Sequence, residues 1–171
     1  MAKHKVFISY HHKNDHFYKN QLINNYGNDF INHSVDSGDI HDSKTDEQIR
    51  EIIRDEYIRN ASVTIVLIGK ETWGRKHVDW EISSSIRHTK YNARNGLIGI
   101  VLPSNNNYGT KQLQDSTSIP SRLYKNFKTG FAKIYDWSPN MNLEYMIERA
   151  FTDRNLIIPD NSDSLRRRNS N

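Results

Sequence analysis

Glu81 is the residue of this sequence whose type and position best fit a chemical role. It belongs to segment 73–86, which follows a run at 63–69 with apolar residues on both faces. Such a run is typical of a central strand in a parallel sheet. Open α/β sheets bind ligands in the crevice outside the carboxyl ends of their strands. A carboxylate on the helix that follows this strand is therefore placed to contact a substrate.

The spacing around Glu81 predicts a helix over residues 76–89 with two neighbouring stripes. The apolar stripe, which we expect to pack on the sheet, consists of Val78, Ile82 and Ile86, and the polar stripe consists of His77, Glu81, Ser84 and His88. Glu81 then lies at the margin of the core, where a carboxylate is partly desolvated and can face a cleft. The structural alternative is a boundary glutamate that pairs with Arg75 or Lys76.

Two other polar segments are expected at the same edge of the sheet. Residues 9–12 follow the first predicted strand, and an acidic, turn-rich loop at 36–43 follows the second. The candidate substrate-binding residues are Ser9, Tyr10, His11, Asp36, Trp73 and His77. In the functional interpretation Tyr10 stacks on a base, and the alternative is a surface aromatic residue at a strand end. In the functional interpretation Asp36 orders the loop, and the alternative is a solvated turn residue.

Strands alternate with helices along the chain. Apolar runs predict strands at 5–10, 30–35, 63–68, 97–102 and 131–137. Helices are predicted at 14–26, after a capping box at Thr45 and Gln48, at 76–89, and after Ser138 and Pro139. Residues 104–121 indicate a long loop. The pattern predicts an α/β fold, a flavodoxin-like five-stranded parallel sheet with helices on both faces.

Length and composition narrow the class of protein. The 171 residues suit one domain over residues 1–159, followed by a polar, Arg-containing tail at 160–171 that we expect to be mobile. The absence of cysteine excludes a disulfide framework, a thiolate metal site and a cysteine nucleophile. Because no apolar run suits a signal peptide or a membrane span, we expect a cytoplasmic protein with no membrane partner.

The charge and the histidines do not point to nucleic acid or to a metal. The formal net charge is +4, and the three arginines at 166–168 supply most of it. A basic stripe interleaved with aromatic residues is absent, which disfavours nucleic-acid binding. His11, His12 and His16 cluster in sequence without a metal-ligand spacing. The isolated glycines exclude a phosphate-binding P-loop.

The motifs of the chain resemble the TIR (Toll/interleukin-1 receptor) superfamily. Phe-Ile-Ser-Tyr at 7–10 resembles its opening strand, and Glu81 matches the position of the catalytic glutamate in TIR domains that cleave NAD. The closer resemblance is to the bacterial TIR-like family of the Thoeris antiphage defence system, the ThsB-like proteins. It is carried by residues 7–12, 63–73 and 75–82, and it runs from about residue 5 to residue 151.

The resemblance implies an enzyme that breaks the nicotinamide–ribose bond of NAD and then hydrolyses or cyclises the ADP-ribose, with a cyclic product favoured as the signal. That signal would activate a separate effector that depletes NAD. NAD is then the substrate, no cofactor or metal is implied, and a homo-oligomer is possible. The chain departs from many NAD-cleaving relatives at two points. His11 and His12 stand where basic residues follow the Ser-Tyr pair, and His77 stands where a tryptophan precedes the acid, with tryptophans at Trp73 and Trp80 instead.

Two other classes of protein share the expected fold. Many TIR domains are non-catalytic interaction modules, which would leave NAD intact and make Glu81 dispensable. A receiver-like regulator shares the expected order of strands, but it needs paired acids after the first strand to hold magnesium. Tyr10, His11 and His12 occupy those positions here, which disfavours a receiver.

Overall fold

A computed structural model of the chain describes residues 2–36, 39–40, 43–90, 92–113 and 115–170. Ser37, Gly38, His41 and Asp42 of the predicted acidic loop lie outside these residues. Asp36 and Asp39 lie within them.

The five predicted strands form one parallel sheet, as the sequence indicated. The strands are β1 (His4–Ser9), β2 (Phe30–Asn32), β3 (Val63–Ile68), β4 (Gly96–Val101) and β5 (Ala132–Asp136), and their order in the sheet is β2-β1-β3-β4-β5. This is the order of the flavodoxin-like sheet. β2 is shorter than predicted. The Asn32 side chain accepts a hydrogen bond from the Ser34 backbone N–H (3.1 Å), which draws the chain away from the strand ladder.

Six α-helices connect and cover the strands in the described part of the chain. They are α1 (His12–Tyr26), α2 (Asp46–Ile52), α3 (Lys76–Ile86), α4 (Asp115–Ser118), α5 (Ser121–Lys128) and α6 (Leu143–Asp153). α2 continues through a π-helical turn (Ile53–Tyr57) and a 3₁₀ turn (Ile58–Asn60), and a second 3₁₀ turn (Thr72–Gly74) precedes α3.

The capping box that opens α2 is confirmed. The Gln48 backbone N–H donates to the Thr45 hydroxyl (3.3 Å), and the Thr45 backbone N–H donates to the Gln48 side chain (2.9 Å). Two orphan donors of the first turn are therefore satisfied.

Three predictions about helices differ from the structure. The predicted loop at 104–121 contains α4 and ends where α5 begins. α3 ends at Ile86, because Arg87 is extended (φ −73°, ψ 129°). α6 is capped by Asn142, whose side chain accepts from the Tyr145 backbone N–H (3.1 Å), and not by Ser138 and Pro139. The Asn142 side chain thus satisfies an orphan donor in the first turn of α6, which begins after it.

The core has two main layers, one on each face of the sheet. α1 and α6 cover one face through Leu22, Tyr26, Leu143, Met146, Ile147 and Ala150. α3 and α5 cover the other through Val78, Ile82, Ile86 and Leu123, which confirms the predicted apolar stripe of α3. A smaller cluster beside them includes Phe7 on β1 and Ile53 and Ile58 after α2.

Gly96 allows α6 to pack directly on β4. A methyl group at this position would lie 2.3 Å from the Ala150 carbonyl oxygen, which is backbone and cannot rotate away. We expect Gly96→Ala to lower the free energy of unfolding by about 1–3 kcal/mol through overpacking. Urea denaturation measures the change. Gly99→Ala is the comparison variant, because its new methyl meets only side-chain carbons, at 3.0–3.2 Å, which can shift by a few tenths of an ångström; it should cost less than Gly96→Ala. Equal stability of the Gly96→Ala and unsubstituted chains would contradict this packing.

The segment predicted as a mobile tail lies against α3 and α5 over residues 160–170. The Asn126 side chain bonds both backbone groups of Asp160 (2.8 Å each), and the Asn161 side chain donates to the Ser83 carbonyl (3.1 Å). Polar residues that suggested a solvated tail instead serve as partners of polar groups on two helices. No helix among the described residues is long and apolar enough to span a membrane.

Candidate functional site

The candidate site lies where the order of strands changes direction. β1 is flanked by β2 on one side and by β3 on the other, so the connections after β1 and β3 leave on opposite sides of a crevice. Side chains alternate between the two faces of a strand, and Phe7 of β1 faces the cluster that contains Ile53 and Ile58. Ser9, two residues on, therefore points to the same face, toward α3.

Glu81 meets Ser9 at this crevice. Glu81 is 4% exposed and Ser9 is 1% exposed. The Ser9 hydroxyl donates a hydrogen bond to Oε2 of Glu81. Burial raises the pKa of Glu81 from 4.5 to about 8, and the bond from Ser9 opposes that rise. The carboxyl group is therefore mostly neutral at neutral pH when the crevice is empty.

The structure disagrees with the alternative of a boundary glutamate paired with a neighbouring cation. The Arg75 guanidinium donates to the Ser170 carbonyl oxygen (2.5 Å), and the Lys76 ammonium pairs with Asp46. Within the described residues, no ion pair includes Glu81. Its carboxyl group is thus buried at considerable cost without a charged partner.

A cleft of about 490 Å³ opens above Glu81. Its size is within the range of small-molecule sites. One part of the lining is apolar and comes from the segment after β2 and from α2: Val35, Ile40, Ile49 and Ile53. The rest is polar and comes from the end of β1 and the start of α1, the segment after β2, α3 with the residue before it, and the tail segment: Tyr10, His11, His12, Lys13, Asp36, Arg75, His77, Glu81 and Asn169.

Tyr10 is the aromatic residue of the cleft lining. Its ring stacks on His12, with ring centroids 4.3 Å apart and planes at 11°. Its hydroxyl lies 3.4 Å from Nδ1 of His16. Burial raises the pKa of Tyr10 to about 12, with further contributions from Asp36 and Glu81. Tyr10 is therefore a neutral ring with a fixed orientation.

Three imidazoles line the cleft and favour the neutral form. Burial lowers the pKa values of His11, His12 and His77, and neighbouring cations lower them further. Nδ1 of His11, Nδ1 of His77 and Nε of Arg75 are buried without a hydrogen-bond partner in the described part of the chain. Buried polar atoms normally have partners, so the nitrogens of His77 and Arg75 are candidates for contact with a ligand, whereas Nδ1 of His11 lies 3.7 Å from the Glu71 carboxylate.

The Asp36 side chain is held by Lys19, a residue that was not predicted from the sequence. The Lys19 ammonium is buried and forms an ion pair with the Asp36 carboxylate. The Asp36 backbone N–H donates to the Asp39 carboxylate (2.8 Å). Asp36 thus holds the segment after β2 against α1. The position of Lys19 on the buried face of α1 could have indicated this role, since lysine is rarely buried without a partner.

The structure places the predicted site residues in two groups. Tyr10, His11, Asp36, His77 and Glu81 line one cleft, and Ser9 lies beneath it in contact with Glu81. Trp73 is half-buried and is not among the lining residues that the structure describes. Trp80 is buried, packs edge-on against His77 (4.9 Å between ring centroids) and donates to the Arg166 carbonyl.

The sequence analysis also missed Arg75 and Asn169 as lining residues. Asn169 could not be found from sequence, because it reaches the cleft only through the course of residues 160–170. Within the described residues, no group of three or more histidine or acidic side chains could hold a metal ion.

The fold and the site define a flavodoxin-like α/β domain with a buried carboxyl group in the cleft at its switch point. The chain belongs to the family described as the TIR-like domain of the Thoeris protein ThsB, whose family model matches residues 7–107. The match runs from β1 past β4 and includes both Ser9 and Glu81.

The chain is also similar to a solved structure of TIR domains. That structure is the activated Roq1 resistosome directly recognising the pathogen effector XopQ, with 10% identity over 90% of this chain and 85% of that chain and a TM-score of 0.44. No curated protein matches the chain significantly.

Proposed function

We propose that this chain is an enzyme that cleaves NAD at the nicotinamide–ribose bond and makes an ADP-ribose-derived, cyclic signal for a separate effector. The observation that carries the proposal is the Glu81 carboxyl group, buried at the floor of a cleft with a single hydroxyl partner. Strongly perturbed carboxyl groups in clefts are candidates for chemistry. The family to which the chain belongs supports the same choice of residue.

The proposed step breaks the bond between C1′ of the ribose and N1 of nicotinamide. The bonding electron pair leaves with N1, so nicotinamide departs as a neutral base and needs no general acid. The ribose becomes oxocarbenium-like, as in glycoside hydrolysis. Glu81, in its ionised form, stabilises the positive charge as it grows on the ribose. Capture of C1′ by water or by a nucleophilic atom of the same ADP-ribose then releases a proton and gives a linear or a cyclic product.

Ser9 keeps Glu81 available as a carboxylate. Its hydroxyl donates to Oε2 and so favours the ionised form against the effect of burial. The positively charged nicotinamide ring of NAD favours ionisation in the same direction when it enters the cleft. Ser9 is therefore a positioning residue, and the ionised Glu81 is expected chiefly in the loaded cleft.

The lining suits the remaining parts of a dinucleotide. The apolar residues Val35, Ile40, Ile49 and Ile53 offer a surface for a base or the nicotinamide ring, and Tyr10 borders the cleft with its buried ring stacked on His12. Arg75 and Lys13 bring positive charge to the same cleft, which complements a diphosphate. No cofactor or metal is required for this chemistry, with NAD as the substrate.

The activity is expected to depend on pH through Glu81. Because the pKa of Glu81 is about 8 in the empty cleft, kcat/KM for NAD should rise about tenfold between about pH 7 and pH 9. Ser9→Ala removes the bond that lowers this pKa, so the midpoint of the profile should move to higher pH. Initial rates of nicotinamide release across the pH range measure both. A profile that is flat through pH 8, or a midpoint that Ser9→Ala leaves in place, would contradict the role given to this pair.

The proposed reaction is tested with NAD labelled at the C1′ carbon and followed by NMR. The purified chain is incubated with it alone, at high protein concentration, and with a lysate of phage-infected bacteria. We expect the resonance of C1′ bonded to N1 to disappear, and an equimolar amount of nicotinamide to be released, in at least one condition. Intact NAD in all three, with a folded protein, would contradict the enzyme and favour the alternative, a non-catalytic TIR-type interaction module.

A further inference from the structure

The tail segment, residues 160–170, is anchored at its start by a buried charge. The Arg122 side chain is 2% exposed and pairs with Asp79 on α3 (Nε to Oδ1, 2.9 Å). The same guanidinium donates to the carbonyl oxygens of Asp163 (3.0 Å) and Ser164 (3.2 Å). The tail segment therefore supplies acceptors that a buried arginine needs.

The middle of the tail segment follows α3, the helix that carries Glu81. The Arg166 backbone N–H donates to the Asp79 carboxylate (2.8 Å), and the Trp80 indole N–H donates to the Arg166 carbonyl (2.8 Å). Both contacts are to residues within two positions of Glu81. The tail segment is thus fixed to α3 at the two residues that directly precede Glu81.

The far end of the tail segment reaches the mouth of the cleft. The Asn169 side chain accepts from the Lys76 backbone N–H (2.9 Å), a donor in the first turn of α3. Arg75, the residue at the N-cap position of α3, contributes no side-chain cap of its own. Asn169 thus satisfies one of the orphan donors of α3 from a distant part of the chain, and it also lines the cleft.

The Ser170 backbone holds the Arg75 side chain in place. Its carbonyl oxygen accepts from the Arg75 guanidinium (2.5 Å), and its backbone N–H donates to the Gly74 carbonyl (2.9 Å). The approach is so close that a methyl group on Gly74 would lie 2.5 Å from the Ser170 carbonyl oxygen. Gly74 is therefore the residue that lets the tail segment reach Arg75.

We infer that the tail segment is a wall of the substrate cleft, and that Asn169 is a positioning residue that holds the first turn of α3, while the Ser170 carbonyl oxygen holds Arg75, for binding of a dinucleotide. This inference rests on the proposed function, because the dinucleotide is NAD. It concerns residues outside the range 7–107 that the family model matches. The two ends of the tail segment differ in role. Arg122 of α5 anchors the start of the segment, and Asn169 and Ser170 at its other end shape the cleft.

Two substitutions test the inference from opposite sides of the contact. Asn169→Ala removes the cap and the cleft contact, and Gly74→Ala displaces Ser170 while leaving the tail sequence intact. Both are made in the Glu81→Gln chain, which keeps NAD uncleaved, and NAD affinity is measured by calorimetry. Each is expected to weaken binding about five- to tenfold, as loss of one or two hydrogen bonds implies. Arg168→Ala, an exposed residue of the same segment, is the control with unchanged affinity.

Kinetics separate a role in binding from a role in folding. In the chain with Glu81 intact, Asn169→Ala should raise KM for NAD and leave kcat unchanged, because it removes binding and not chemistry. A purely structural role would lower the active fraction, and therefore kcat, without a change in KM. Trp80 fluorescence, measured in a chain with Trp73→Phe and Trp137→Phe, reports whether the tail segment stays docked, since the Trp80 indole N–H bonds the Arg166 carbonyl.

Unchanged affinity for NAD in both variants overturns the inference and leaves the proposed function standing. Tighter binding also overturns it, because the tail segment would then compete with the ligand. If the Glu81→Gln chain with an intact tail segment fails to bind NAD, and the unsubstituted chain leaves NAD uncleaved, the proposed function fails and this inference falls with it.

Discussion

Replacing Glu81 with glutamine is expected to lower the rate of nicotinamide release from NAD by about 10²–10³-fold, the usual cost of removing one preorganised electrostatic group. Glutamine keeps the size of the side chain and still offers an oxygen to the Ser9 hydroxyl. It lacks the full negative charge that stabilises an oxocarbenium-like ribose. The rate is measured by chromatography of released nicotinamide, under the condition in which the unsubstituted chain is active.

The matched control for this variant is Glu144→Gln. Glu144 is an exposed carboxylate in the first turn of α6, on the other side of the sheet from α3. The Glu144→Gln variant has the same change of charge but does not alter the cleft, so its rate of nicotinamide release should equal that of the unsubstituted chain. A Glu81→Gln chain that releases nicotinamide at the unsubstituted rate would remove Glu81 from the proposed chemistry.

The same substitution is expected to stabilise the fold at high pH. The pKa of Glu81 is about 8 in the folded chain, above its ordinary 4.5, so the fold favours the neutral carboxyl group. The stability that this preference contributes is fully present below about pH 4.5 and is lost as pH rises through about 8. The loss amounts to at most about 5 kcal/mol. Glutamine cannot ionise, so the Glu81→Gln chain keeps its stability above pH 8.

Urea unfolding at a series of pH values measures this difference. The advantage of the Glu81→Gln chain should be small near pH 4.5 and should grow to several kcal/mol near pH 9. Burial also raises the pKa of Asp15 to about 6. Asp15 is present in both chains, so its contribution cancels in the comparison. Parallel curves of stability against pH would show that Glu81 is already ionised in the fold.

Catalysis and stability therefore place opposite demands on residue 81. A neutral side chain suits the buried position, and a charged one suits the reaction. Ser9 reduces the conflict by a hydrogen bond to the carboxylate, and the positive ring of the proposed substrate reduces it further. A gain in stability together with a loss of turnover in one variant is the pattern expected of a functional group held in a strained electrostatic setting.

The fold was predictable because its signals are local. The strands follow from apolar runs, α2 from its capping box, and the apolar stripe of α3 from four-residue steps. Glu81 was found because that stripe fixes which side of α3 faces the sheet edge. The alternation of side chains along β1 also places Ser9 on the face of Phe7, toward α3. These features need only the periodicity of one element at a time.

The rest of the site depends on contacts between distant residues. Lys19 and Asp36 form an ion pair between α1 and the segment after β2. The position of Lys19 on the buried face of α1 indicates that it needs a partner, but nothing local indicates that the partner is Asp36. Arg122 is buried only because Asp79 and the tail segment surround it. The tail segment has the composition of a solvated chain end. Its polar groups are satisfied by α3 and α5, which composition alone does not show.

Mass spectrometry of small-molecule extracts from bacteria that express the unsubstituted chain or the Glu81→Gln chain, with and without phage, tests the central claim most directly. The account predicts an ADP-ribose-derived species in extracts of the unsubstituted chain and its loss in the Glu81→Gln chain. Its appearance only after infection would show that a phage trigger controls the enzyme. Identical extracts from both chains in every condition, with both proteins folded and expressed, would contradict the account.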